Sequence, residues 1–70
     1  MLEYILNHAK DKDCDIIYMS GDEITQRRIH IYKVENDYIK AFCYQRGDMR
    51  TFRKDKILSA ALASTEFTRQ

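Results

Sequence analysis

Proline and tryptophan are missing from this 70-residue chain, and glycine and cysteine each occur only twice. Without proline, and with no repeat or low-complexity stretch, nothing marks a linker, so residues 1 to 70 read as a single domain. That length lies near the lower end of what one hydrophobic core can hold together. No apolar run is long enough to cross a bilayer, and the N-terminus lacks the layout of a secretory signal. A soluble, cytoplasmic protein with no membrane partner is therefore expected. Cys14 and Cys43 form neither a CxxC pair nor a metal-ligand spacing, so both are expected to be buried free thiols. His8 and His30 lack an accompanying set of Cys or carboxylate ligands in the sequence, so no metal and no cofactor are expected. Activated nucleophiles and paired carboxylates are also missing as patterns, which places an enzyme last among the function classes.

What is present is a foldable composition with unevenly placed charge. Hydrophobic residues make up 44% of the chain, which argues against disorder. The net charge of +1 conceals a split. Residues 1 to 26 hold two lysines against six acidic residues, whereas residues 27 to 56 hold nine basic residues against four acidic ones. Within "YQRGDMRTFRKDKI", Arg46, Arg50, Arg53, Lys54 and Lys56 surround one Phe. Such an asymmetry suggests an anionic partner, although a charge run is also the ordinary make-up of a solvated face.

Periodicity supplies the elements. Apolar residues at 2, 5, 6 and 9 predict a short amphipathic helix within residues 1 to 13. "CDIIYM" reads as a strand and "SGD" as a turn; "ITQRRIHIYKV" alternates and is rich in β-branched residues, so it is a second strand. "YIKAFCY", "MRTF" and "KILSAAL" complete the set, divided by "END" and "QRGD" turns. The "RGD" tripeptide needs no adhesive role, because Gly47 serves the hairpin. Residues 14 to 62 are expected to form the barrel, and residues 63 to 70 a frayed tail. The fold class is mainly β: a small five-stranded antiparallel barrel of the SH3 or Sm kind, with one N-terminal α-helix.

Period-two alternation assigns faces. Ile29, Ile31, Ile39, Ala41, Cys43 and Phe52 are expected inside. Arg28, His30, Tyr32, Tyr38, Lys40, Phe42 and Tyr44 are expected outside. Arg27 and Arg50 each lie two residues before an inward apolar residue, so both have the inward phase. The strands that carry them start at the same end of the sheet, and the turn carrying Arg46 closes that end. Three guanidinium groups would then line one mouth, flanked by Tyr38 and Lys56. Arginine suits phosphate because its planar fork binds two oxygens at once. The plain alternative is ion pairing of Arg27 and Arg50 with Asp22, Glu23 or Asp48.

"DYIKAFCYQRGDMRTFRKDKI" resembles the characteristic segment of the WYL domain, a small Sm-like β-barrel module found mainly in bacterial regulators. Tyr38 and Ile39 take the Tyr and Leu places of that motif, while Asp37 stands where Trp would be. Arg50 and Phe52 match an Arg-x-Phe pair, and Asp55, Lys56 and Ile57 match an Asp-Arg-Ile ending with Lys for Arg. "EITQRRIHIYKV" is similar to the strand that supplies another family arginine, at Arg27 or Arg28. The resemblance covers residues 15 to 60. It implies an exposed site for a regulatory ligand, which is single-stranded nucleic acid in some members. The helix-turn-helix domain that usually precedes the module is missing from the sequence, so a free-standing module is expected.

Residues and resemblance together define a non-enzymatic, regulatory binding module for single-stranded nucleic acid or a nucleotide-like anionic ligand. Its expected contacts are Arg27, Arg28, Tyr38, Lys40, Arg46, Arg50 and Lys56. The competing class is a protein–protein interaction or homo-oligomerisation module with no affinity for nucleic acid, in which Tyr38, Phe42 and Tyr44 pack against a partner or a second copy.

Overall fold

The computed structural model describes residues 2–63. Helix α1 spans Leu2–His8 and stops well short of residue 13. The reason is competition from a strand. Asp11 takes a left-handed φ of 65°, its N–H donates to the Ile31 carbonyl at 2.6 Å, and the Ile31 N–H donates to the Lys12 carbonyl at 3.2 Å. Pairing with Ile31 thus draws residues 11 and 12 out of the helix. Leu6, and Ala9 just beyond the helix, are fully buried, with Leu2 packed against the same core.

Five strands follow: β1 (Asp13–Ser20), β2 (Glu23–Val34), β3 (Tyr38–Cys43), β4 (Asp48–Arg53) and β5 (Ile57–Leu62). A 3-10 turn, η1, occupies Lys54–Lys56 between the last two. All pairings are antiparallel and the sheet order is β4-β3-β2-β1-β5. The β1–β2 hairpin turns at Gly21 and Asp22, where Gly21 supplies a φ of 62° that a side chain would resist.

The inward assignment holds. Ile16, Ile29, Ile31, Ile39, Ala41, Cys43 and Phe52 form the core with Cys14 and Ile57. Each isoleucine withdrawn from water contributes about 1.5–3 kcal/mol. Both cysteines are buried and free, and burial pushes the Cys14 thiol above its ordinary range. From residue 64 onward, the expected tail lies outside the described residues. Among the described residues, no helix is long and apolar enough to cross a membrane.

The sheet does not close into a barrel. β4 and β5 are its two edges and do not pair with each other. Each runs antiparallel to an odd-numbered neighbour (β3 or β1), so β4 and β5 run parallel to one another. Only the three residues of η1 join them, whereas side-by-side parallel strands need a connection of roughly a dozen residues or more. Register shifts at Ile31/Lys33 and at Ile17/Tyr18 mark irregularities in the ladders, and bulges of this kind bend and twist a sheet. The far end of β1 thereby meets the end of β4. Tyr18 packs edge-on against Phe52 at 5.1 Å, and its hydroxyl oxygen accepts from the Arg53 N–H at 3.2 Å. A side chain spans the seam where a strand pairing was expected, so the sheet is barrel-like and open.

Candidate functional site

Arg27 sits on the inward face of β2, opposite Ile16, and is half-buried. Its Nε donates to Thr25 Oγ1 at 3.2 Å and its Nη1 approaches Cys43 Sγ at 3.8 Å. Both partners are neutral. Among the described residues, no carboxylate lies within ion-pair reach of Arg27, Arg46 or Arg50. The pairings with Asp22, Glu23 or Asp48 are therefore not formed. A partly desolvated cation without a counter-charge is costly, and an anion relieves that cost.

The turn after β3 is pinned beside Arg27 by a side chain that periodicity does not reveal. β2 continues toward Glu23 after β3 has ended at Cys43, opposite Ile29. Tyr44 N–H donates to the Arg28 carbonyl at 3.1 Å. Then the Gln45 side chain takes over: its Oε1 accepts from the Arg28 N–H at 3.2 Å, and its Nε2 donates to the Gln26 carbonyl at 3.3 Å. The Gln45 amide thus occupies the place of a peptide group on a longer β3. Arg46 and Gly47 N–H groups both donate to the Cys43 carbonyl, at 3.2 and 2.8 Å, and Gly47 has a φ of 72°. This geometry sets Arg46 at the same end of the sheet as Arg27. Arg50 lies opposite Ala41 on the inward row of β4 and is half-buried. With Lys40, Met49 and Thr51 it borders a shallow hollow of ≈230 Å³ at the β4 edge. Lys40 is therefore beside Arg50, although its own phase is outward.

Tyr38 and Lys56 do not flank this mouth. Tyr38 opens β3 opposite Arg53, whereas the Arg46 turn closes it. Five residues of strand separate the two ends, about 17 Å. Tyr38 lines a different hollow of ≈470 Å³ with Glu3, Asp37, Arg53, Lys54 and Asp55, and Lys56 ends the adjacent η1. Four of the charges there are paired: Arg53 grips Asp55 at 3.1 and 2.8 Å, and Lys54 Nζ contacts Glu3 at 2.6 Å. The hydrogen bond from Arg53 lowers the Asp55 carboxyl below its ordinary range, and that from Lys54 does the same for Glu3.

Arg28, on the outer face, is also matched. Its Nε and Nη2 donate to the two oxygens of Asp15 at 2.8 and 2.9 Å. That fork lowers the Asp15 carboxyl and raises the Arg28 guanidinium. One residue pair further along, His30 is not unaccompanied: its Nδ1 lies 2.7 Å from Asp13 Oδ1, which also accepts from Tyr44 Oη at 2.9 Å. Partial burial opposes the charged form of Asp13, but the bonds from His30 and Tyr44 outweigh it and lower the carboxyl. The rings of Phe42 and Tyr44, and of His30 and Tyr32, are 5.4 and 4.9 Å apart. Both carboxylate partners were legible. Counting outward from the two-residue turn at Gly21 and Asp22 places Asp15 opposite Arg28 and Asp13 opposite His30.

No curated protein sequence shows significant similarity to the chain. Among solved structures it is similar to the proteasome accessory factor B/C (PafBC) of Arthrobacter aurescens, with 22% identity and a TM-score of 0.60. That match covers 99% of this chain and 12% of the PafBC chain, and at this identity it bears on the fold. The WYL domain profile matches residues 8–62, from the end of α1 through β5. Spanning most of the chain and all five strands, that match shows that the protein belongs to the WYL domain family.

Proposed function

We propose that the chain is a non-enzymatic regulatory module whose β3–β4 end binds a phosphate-bearing ligand, either single-stranded nucleic acid or a nucleotide-like anion. Arg27, Arg46 and Arg50 supply the cationic contacts, with Lys40 beside Arg50. The observation that carries this reading is the half-buried Arg27, which has only neutral partners while the adjacent Arg28 is fully matched. Arg28 belongs to the outer face and contributes no free charge. Tyr38 and Lys56 form a second position at the far end of β3, reached only by an extended ligand. Membership in a family found mainly in bacterial regulators supports a regulatory ligand- or nucleic-acid-binding role.

The test is an equilibrium titration against short single-stranded DNA and RNA, duplex DNA and free nucleotides across a salt series. Three neutralised phosphates on a single strand give a log–log slope of about −2, at roughly −0.7 per contact. Nucleotide binding without strand binding would assign the mouth to a small ligand. Salt-independent binding, or none, would remove the proposal.

A further inference from the structure

The two edges of the open sheet are defended differently. β4 carries Asp48, Arg50 and Arg53 along its six residues. β5 reads Ile-Leu-Ser-Ala-Ala-Leu and carries no charge at all. Its one ladder is with β1, so the backbone groups on its other side have no strand partner among the described residues. Natural sheets blunt such an edge with charge, proline or a cover, because unpaired N–H and C=O groups template another strand. Here Leu58 and Leu62 are instead 48% and 44% exposed. Leu58 is also skipped by the β1–β5 ladder, which passes from Ile17–Ser59 to Tyr18–Ile57. Beside the edge, Tyr4, Ile5 and His8 of α1 form an apolar hollow of ≈230 Å³ with Ala60, Ala61 and Leu62.

We propose that β5 is a self-association edge, pairing antiparallel with β5 of a second copy about a two-fold axis and joining two five-stranded sheets into one of ten strands. The occupant must be an extended backbone, because the edge offers a row of peptide donors and acceptors. A second β5 meets that demand with no electrostatic penalty. Whatever the register, every cross-strand pair sets an uncharged residue against an uncharged one. β4 is instead blunted by Asp48, Arg50 and Arg53, because charged side chains along an edge disfavour its pairing with another strand. The arrangement is isologous and closes at two copies. It also covers the hollow between α1 and β5, which the incoming strand overlies. The edge is distinct from the Arg27 mouth, so the inference does not depend on the proposed ligand.

Sedimentation equilibrium of the full chain from micromolar to millimolar concentration tests it, with circular dichroism to confirm that each variant folds. The wild-type mass should rise with concentration from 8.4 kDa toward twice that value. L58K and A61K, both at exposed positions of β5, should remain monomeric, with the melting temperature that wild type shows at dilutions where it too is monomeric. M49K, at an exposed position of the opposite edge, should dimerise as the wild type does. A monomer at every concentration, or a dimer indifferent to both β5 lysines, would overturn the proposal. So would assembly beyond two copies that M49K also abolishes, because that result specifies head-to-tail pairing of β4 with β5. A monomer whose outward β5 amides, those not bonded to β1, are protected from hydrogen exchange would assign the cover to the chain itself, and would equally overturn it.

Discussion

Arg27 and Arg28 are neighbours in sequence and opposites in circumstance. The pleat of β2 turns Arg27 toward the core side, where Thr25 and Cys43 offer neutral atoms, and Arg28 toward the outer side, where Asp15 takes both ends of its fork. The same side chain is therefore an unmet charge on one face and a finished ion pair on the other. Clustering of basic residues in the sequence is a poor guide to an anion site, because the register decides which cations are already matched. By that criterion the outer face, where Arg28 is bonded to Asp15 and Asp13 to His30 and Tyr44, has little demand for an anion. Arg27, Arg46 and Arg50, which have no carboxylate partner among the described residues, have the greater demand.

The largest expected effect lies in the inward row that Arg27 shares with the core. Ile29, next to Arg27 on that row, is fully buried opposite Cys43. Ile29→Ala should cost about 2–5 kcal/mol, read by urea denaturation. It should disturb the mouth and the outer ion pairs together, whereas surface substitutions should separate them. Next comes Arg50→Ala. Loss of one phosphate contact should flatten the log–log salt slope of single-strand binding by roughly 0.7. Melting temperature should hold or rise, because an unmatched charge has been removed. A sharp fall in melting temperature with binding intact would make Arg50 a structural residue.

Gln45→Ala acts on the Arg46 turn. It removes the amide that holds the Arg46 turn against Gln26 and Arg28, so stability should fall by about 0.5–1.5 kcal/mol. The salt slope should flatten partially as Arg46 loses its fixed place. An unchanged slope would show that Arg46 makes no contact. The smallest effect is on the acid side. Asp13 and Asp15 have folded-state carboxyls below their ordinary value of 3.8. The unfolded chain therefore takes up their protons first. Their contribution to stability is complete above about pH 5 and is lost as pH falls through and below the ordinary carboxylate range. Arg28→Ala should lower the melting temperature near neutral pH and shrink this acid limb, because Asp15 loses the partner that lowers its folded-state carboxyl, and Arg27→Ala should leave the limb in place.

Much of this was legible in the residues. Alternation identified the inward row from Ile29 through Phe52, because a half-buried strand must alternate to bury one face. It also gave Arg27 and Arg50 their inward phase. The resemblance carried by Tyr38, Arg50, Phe52 and Asp55 pointed to the family. Closure of the sheet was not legible, since it depends on strand direction across η1 and on bulges at Tyr32 and Leu58. Motif spacing alone does not separate Tyr38 from the Arg46 turn, although β3 holds them apart by its own length. Gln45 was missed for a different reason. Its partners are backbone atoms of a strand remote in sequence, and no side-chain pattern announces such a pairing. The Asp15–Arg28 and Asp13–His30 pairs needed only a count outward from the Gly21 turn.

The contrast between the two arginines is tested most directly by the salt dependence of single-strand binding in Arg27→Ala and Arg28→Ala, measured side by side with wild type. The account predicts a slope of about −2 for wild type and for Arg28→Ala, and about −1.4 for Arg27→Ala, at roughly −0.7 per phosphate contact. A flattened slope in Arg28→Ala with Arg27→Ala unchanged would contradict it, and would move the anion site to the outer face.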